Sequence, residues 1–294
     1  MNRRVLRRRA LLIHTETYQD DRYPALPSTR ADTWQLRQVL EHRNIGAFEA
    51  VRVVGDLTAD DMHAEVSEFL ESCEQDELAL LYLSGHGART LETTGEFYFV
   101  AADTDYDRLA ETGVSAGFVN ERLEECWAPQ KVAMLDCCLS GGFTLGFRTT
   151  ARGTAKSATA SPLNSRGVYV LSSSGPLEES FSGANTPEGP APSVFTGAVV
   201  EALRTGKAAK DGSGNVSVDD LVDHVTRQLR GRGGQIPTRS SLGVNDRIVI
   251  ASCPVGEAPV LAPSAQAPQS KPPPGRLLRA APSGLPSARP RGRN

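Results

Sequence analysis

The sequence predicts an α/β protein whose mostly parallel central sheet, of about six strands, is flanked by helices. Three observations carry this. Residues 78–83 (LALLYL) and 132–135 (VAML) are apolar without a polar break, the pattern of strands buried on both faces of a parallel sheet. Shorter apolar runs alternate along the chain with segments of helical period, as crossover connections require. Both long runs lead into glycine-bearing turns, Ser84-Gly85-His86-Gly87 and Ser140-Gly141-Gly142, at the strand ends where open α/β sheets collect ligands and catalytic groups.

Taken in order, residues 10–13 predict the first strand, with the arginines before it as a solvated lead-in. Residues 18–28, rich in Asp and Pro, predict a loop. Ser28 or Thr29 caps a helix reaching about Arg43, whose stripe is Trp34, Leu36, Val39 and Leu40. Residues 51–54 form the second strand. Thr58 to Asp61 has the form of a capping box and opens a helix carrying Met62, Val66, Phe69 and Leu70 on one face. The third strand leads to His86. Residues 96–101 (EFYFVA) predict a short β segment, half of a hairpin beyond the sheet.

Residues 116–126 are helical by pattern, and the fourth strand leads to Asp136, Cys137 and Cys138. The stretch 143–166 has little apolar period and is long for a connection within a compact domain, so it reads as functional or disordered. Residues 168–171 give a fifth strand, 194–203 and 218–229 two helices, and 248–251 a closing strand. The folded domain is therefore 1–253. Residues 254–294 hold ten of the 19 prolines and six Lys/Arg against one Glu, which predicts an extended, disordered tail.

Composition excludes several classes. Hydrophobic content of 39% and charged content of 23% are ordinary for a soluble chain, and a net charge of −3 gives no reason to expect nucleic acid. Five cysteines, two of them adjacent, argue against a disulfide framework. The arginine-rich start offers only four apolar residues before His14, too few for a signal-peptide core, and no run approaches membrane-spanning length. The expectation is a cytoplasmic protein without membrane or nucleic-acid partners. A glycine-rich phosphate loop after the first strand, which a nucleotide binder would carry, is absent from the sequence.

Cys138 and His86 form the candidate catalytic pair. They are 138 − 86 = 52 residues apart, enough for one crossover and a return to a neighbouring strand. A free thiol titrates at about 8.5, so His86 must help form the thiolate. The bland reading of Cys138 is a small buried hydrophobe; the glycines and the histidine weigh against it. Cys137 reads as packing, and Cys73, Cys126 and Cys253 as structural. Adjacent thiols lack zinc-ligand spacing, so no metal site is assigned. Asp136, at a strand end beside the nucleophile, can receive a guanidinium or ammonium through charge-assisted hydrogen bonds. Residues 211–222 resemble a calcium loop only faintly: Val216 and Val222 stand where glycine and glutamate belong. Ser217 and Asp220 read as a capping box instead.

The motifs SGHG (84–87) and DCCLSG (136–141) resemble those of the caspase-like cysteine peptidases, closest to the metacaspase and bacterial caspase-like branch. The spacing agrees with the caspase arrangement of a histidine about 50 residues before the cysteine. The resemblance covers roughly residues 8–253, including the Ser-Val-Phe-Thr helix start at 193. It implies a caspase-like three-layer fold and a cysteine endopeptidase with Cys138 as nucleophile and His86 as acid and base. Backbone amides of Gly87 and Cys138 would hold the oxyanion. Asp32, Ser84 and Asp136 would form an acidic pocket for the residue before the cleaved bond.

With no arginine assignable to the aspartate pocket of caspases proper, the expected cleavage is after Arg or Lys in protein or peptide substrates. Arg148, Arg152, Lys156 and Arg166 then make the 143–166 loop a candidate for self-processing. The resemblance also implies a regulated signalling or defence effector with an upstream partner. It requires no cofactor; calcium activation occurs in the branch, but no residue here is assigned to it. Leu139 and His14 depart from the family pattern. The alternative reading is a catalytically silent adaptor of the same fold that binds peptides or partner proteins.

Overall fold

The computed structural model describes residues 6–90, 96–137, 168–173, 185–186, 189–230, 237–242 and 247–253. In chain order the elements are β1 (Arg7–His14), α1 (Ser28–Glu41), β2 (Ala50–Gly55), α2 (Ala59–Glu71), β3 (Glu77–Gly85), β4 (Gly87–Arg89) and β5 (Phe97–Phe99). A short 3-10 turn (Tyr106–Arg108) precedes α3 (Leu109–Thr112), β6 (Val114–Ser115), α4 (Ala116–Glu125), β7 (Gln130–Cys137) and β8 (Val168–Ser172). Then come β9 (Asn185–Thr186), β10 (Gly189–Pro190), α5 (Val194–Thr205), β11 (Asn215–Ser217), α6 (Val218–Arg230), β12 (Thr238–Leu242) and β13 (Val249–Ser252).

The main sheet has the order β12-β8-β7-β3-β1-β2. Its strands pair in parallel except β12, which runs antiparallel to β8. Side chains of a strand alternate between faces, and the two cores follow that parity. Ala10, Leu12, Leu78, Leu80, Tyr82, Val132 and Met134 pack with α1, α5 and α6. Leu11, Ile13, Ala79, Leu81, Leu83, Ala133, Leu135 and Cys137 pack with α2, α4 and β5. β3 is buried along its whole length, which explains why its sequence shows no alternation.

The capping boxes form as expected. Thr58 Oγ1 accepts from the Asp61 N–H at 3.1 Å, and Ser217 Oγ accepts from the Asp220 N–H at 3.2 Å. α1 starts at Ser28 after Pro27, without a side-chain cap.

Three expectations need correction. The arginines before residue 10 lie inside β1. Arg7 and Arg9 reach the buried Glu77, each at 3.3 Å, and Arg8 donates to the Gly46, Val249 and Ile250 carbonyls. The closing strand is not in the main sheet, because β13 pairs with β11 in a separate two-stranded ladder. The sixth strand is β12 (TRSSL), whose single apolar residue gave no periodic signal. The segment 96–101 does lie beyond the main sheet, as β5 at the centre of a three-stranded ladder with β4 and β6. The expected tail, 254–294, is outside the described residues. No helix among the described residues is long and apolar enough to cross a membrane.

Leu80 is fully buried at the centre of the sheet, so Leu80→Ala is expected to cost about 2–5 kcal/mol. Arg37→Ala, which removes an exposed pair with Glu41, should cost under about 0.5 kcal/mol. Urea denaturation of both variants would check the contrast.

Candidate active site

The carboxyl ends of β1, β3 and β7 lie side by side, with His14 opposite Ser84 and Ser84 opposite Asp136. Ser84 and Asp136 share the parity of Tyr82 and Met134, so both face the side covered by α1 and α5. There they meet Asp32 from α1 and Ser193, the residue that caps α5. Ser84 Oγ donates to Asp32 Oδ2 at 3.1 Å, and the Ser193 N–H donates to Asp32 Oδ1 at 2.7 Å. The Ser193 hydroxyl donates to Asp136 Oδ2, which also accepts from Thr196 Oγ1 at 2.8 Å. Tyr82 Oη lies 2.7 Å from Thr196 Oγ1. One residue, Ser193, therefore bridges two carboxylates that start 104 positions apart in sequence (136 − 32).

Asp32 and Asp136 are 1% and 5% exposed. Burial pushes the Asp32 carboxyl well above its usual range, and the neighbouring Asp136 adds to the shift. Asp136 is raised chiefly by burial, against the hydroxyl donors of Ser193 and Thr196. Burial also raises the Tyr82 phenol, with both aspartates adding to it. Neither carboxylate has an ion-pair partner among the described residues.

His86 follows β3 and opens towards the loop after β1. Its Nε2 lies 2.8 Å from the Pro24 carbonyl. A carbonyl only accepts, so Nε2 carries the proton and the neutral ring keeps its lone pair on Nδ1. Burial lowers the imidazole below its ordinary value, against the Pro24 contact, which leaves it a neutral base at pH 7. Tyr18 fixes the approach. Its hydroxyl accepts from the His86 N–H at 3.0 Å and donates to the Thr15 carbonyl at 2.9 Å. Its ring lies 5.0 Å from the imidazole, and that of Tyr23 lies 5.9 Å away. A Cβ at Gly85 would come within 3.1 Å of the Tyr18 hydroxyl, at a φ of 159° that side-chain-bearing residues rarely adopt. Glycine before His86 is thus what lets Tyr18 reach in.

Gly87, the expected oxyanion donor, is the first residue of β4. Cys137 is 2% exposed and donates its thiol to the Leu83 carbonyl at 3.7 Å, on the α2 and α4 side. That face is opposite to Asp136, in keeping with its reading as a packing residue. Cys138, Leu139 and the 143–166 loop lie outside the described residues.

His14 is buried against Gly55, where an added Cβ would sit 2.3 Å from its Nε2. Its Nδ1 lies 3.1 Å from Thr33 Oγ1. Burial lowers it to about 4, with Arg30 lowering it further against Asp56. It is a neutral packing residue here. In the 211–222 loop, Asp211 and Asp220 both pair with Arg247, at 3.1 and 2.6 Å. Among the described residues no group of three or more His, Cys, Asp or Glu is placed to hold a metal ion.

Sequence reasoning missed Tyr18, Pro24, Tyr82 and Thr196, and saw Ser193 only as a helix start. Two tyrosines in a loop rich in Asp and Pro, and a Ser-x-x-Thr before an apolar run, were the available signals.

Fold and edge together define a class: a three-layer α/β protein with a glycine-flanked histidine and a buried acidic pair at one sheet edge. The model of the family described as Caspase domain matches residues 7–248, and the chain belongs to this family of cysteine peptidases. Solved structures agree on the fold. Caspase-1 from Spodoptera frugiperda superposes with a TM-score of 0.60 at 17% identity, covering 86% of this chain and 93% of that one. A protein from Geobacter sulfurreducens gives 0.57 at 15% identity, covering 85% and 98%. No curated protein matches the chain.

A carboxyl whose folded-state pKa is raised binds its proton more tightly than in the unfolded chain. Its contribution to stability is full below the ordinary carboxylate value and is lost as pH rises towards the folded one. Wild type should therefore lose stability relative to Asp136→Asn between pH 4 and pH 7. Denaturation midpoints of the two proteins across that range would test the sign.

Proposed function

We propose that the chain is a cysteine endopeptidase that cleaves after Arg or Lys, with Cys138 as nucleophile and His86 as acid and base. The single observation that carries the specificity is the acidic pair: two buried carboxylates, bridged by Ser193, with no cation beside them among the described residues. A substrate guanidinium supplies the missing charge through hydrogen bonds stronger than neutral ones. Ser84 holds Asp32 in place for it.

In the reaction neutral His86 takes the Cys138 thiol proton, the resulting thiolate adds to the scissile carbonyl, and backbone amides, with Gly87 and Cys138 as the candidates, hold the developing oxyanion. Protonated His86 gives its proton to the departing amine as the C–N bond breaks. Neutral His86 then takes a proton from water, whose oxygen attacks the thioester, and the thiol leaves as the acid product forms. The Nε2 contact to Pro24 supports this role, because it orients the ring and leaves Nδ1 for proton transfer. Self-cleavage at Arg148, Arg152, Lys156 or Arg166 belongs to the same proposal, as does a regulated effector role.

An Arg-directed, cysteine-reactive peptide probe tests it. Labelling should vanish in Cys138→Ala, persist in Cys137→Ala, and slow by about 10²-fold or more in His86→Ala. Preference for aspartyl over arginyl fluorogenic substrates, or loss of labelling with Cys137 instead, would sink the reading. Because the raised carboxyls must ionise to hold a cation, KM for an arginyl substrate should rise as pH falls from 7 to 5. Asp136→Asn should flatten that rise.

A further inference from the structure

The imidazole of His86 begins a run of rings that ends at the surface. Tyr18 lies 5.0 Å from it and Tyr23 5.9 Å, and Tyr23 in turn lies 5.5 Å from Tyr106. Aromatic side chains favour contacts of this spacing. Tyr18 directs its hydroxyl inward, to the His86 N–H and the Thr15 carbonyl, and Tyr23 is 8% exposed. Tyr106 is 53% exposed. The other large hydrophobic side chain this open among the described residues, Trp127, stands just before β7 at the amino-terminal edge of the sheet.

Single exposed rings are common on protein surfaces and need no explanation, but this one is held in place. Arg22 lies over it, with Cζ 4.8 Å from the ring centroid. Asp20 accepts two hydrogen bonds from the same guanidinium, at 2.9 and 2.7 Å, and Asp107 accepts a third at 2.9 Å. Asp20 also accepts from the Tyr106 N–H at 3.0 Å. The loop before α1 and the turn before α3 are thereby clamped together, and the charge of Arg22 is balanced inside the clamp. A ligand meets a fixed ring beside a planar guanidinium, which is a surface suited to stacking.

In the proposed reaction, on which this subsite rests, His86 gives its proton to the departing amine. The peptide that leaves with that amine must therefore run past the imidazole, while the basic side chain before the bond is held by Asp32 and Asp136. The two ring steps from His86 to Tyr106 span at most about 11 Å, the reach of about three extended residues. We propose that Tyr106, backed by Tyr23 and Arg22, is a subsite for an aromatic side chain on one of the first three residues after the cleaved bond. Stacking of an aromatic pair favours such a substrate by about 2- to 12-fold over one with leucine at the same position.

The test uses the full-length protein and internally quenched peptides with one arginine before the bond and Trp or Leu at the first, second or third position after it. At one of these positions kcat/KM is expected to be about 2- to 12-fold higher for Trp than for Leu. Tyr106→Ser should bring that ratio close to one, and Trp127→Ser should leave it as in wild type. The ratio compares two substrates of the same enzyme, so a smaller folded fraction cancels and a merely structural role of Tyr106 does not move it. Equal rates for Trp and Leu at all three positions, or a Trp preference that survives Tyr106→Ser, would overturn the subsite and leave the peptidase reading standing. No cleavage of any peptide, together with no labelling of Cys138 by the Arg-directed probe, would overturn both.

Discussion

The parallel register of β3 on β7 is the constraint on which the rest depends. Ser84 stands opposite Asp136 and Gly85 opposite Cys137, so the carboxylate faces α1 and α5 while the neighbouring thiol faces α2 and α4. A slip of one residue would exchange the two faces. It would drive a carboxylate into the apolar core around Leu83 and Leu135, and leave Asp32 without the Ser84 hydroxyl. The unbroken apolar runs make each strand stick to the sheet. The polar residues at their ends decide where along it they stop.

The two edges of the sheet handle a buried acid in opposite ways. At the amino edge Glu77 is 2% exposed and receives both Arg7 and Arg9 from the adjacent strand, a pairing complete within the chain. At the carboxyl edge Asp32 and Asp136 receive hydroxyls, one backbone N–H and the capped start of α5. The helix start contributes a partial positive charge, less than two carboxylates need. Burying a charge without its partner is costly, and the shared, upward-shifted protonation of the pair is the form that cost takes in this molecule. The sequence carries 32 Lys and Arg, so cations were available to neutralise the site. Its electrostatic deficit is what makes a basic substrate side chain a fitting occupant.

The four inner strands of the main sheet, β8, β7, β3 and β1, were legible because parallel strands buried on both faces must be continuous apolar runs, and the edge strand β2 was legible from Val51, Val53 and Val54. β12 was not, because an edge strand paired on one side needs no such run. Asp136 could be placed at the carboxyl edge from its position alone, and the capping boxes at Thr58 and Ser217 from their spacing. The bridge through Ser193 could not. Its two hydrogen bonds join residues distant in sequence, and nothing in a Ser-Val-Phe-Thr stretch distinguishes a helix cap that also holds two carboxylates from one that caps alone. Tyr18 and Pro24 escaped for a related reason. A loop supplies a hydroxyl and a carbonyl to His86 by its path in space, which local periodicity does not encode.

The cysteines show how far environment outweighs residue type. Cys137 gives its thiol to a strand carbonyl, and Cys253 gives its own to the Arg204 carbonyl at 3.0 Å; both behave as small core residues with one weak donor. Cys73 is as buried and gives its thiol to the Phe69 carbonyl at 3.2 Å, while Cys126, equally buried, offers its carbonyl to the Lys131 ammonium at 3.0 Å. Burial alone would raise both thiols and make them inert. Lys131 is costly in a core, and a leucine there would pack without a polar contact. Burial lowers its affinity for the proton, and the hydrogen bond to the Cys126 carbonyl at 3.0 Å offsets part of that cost.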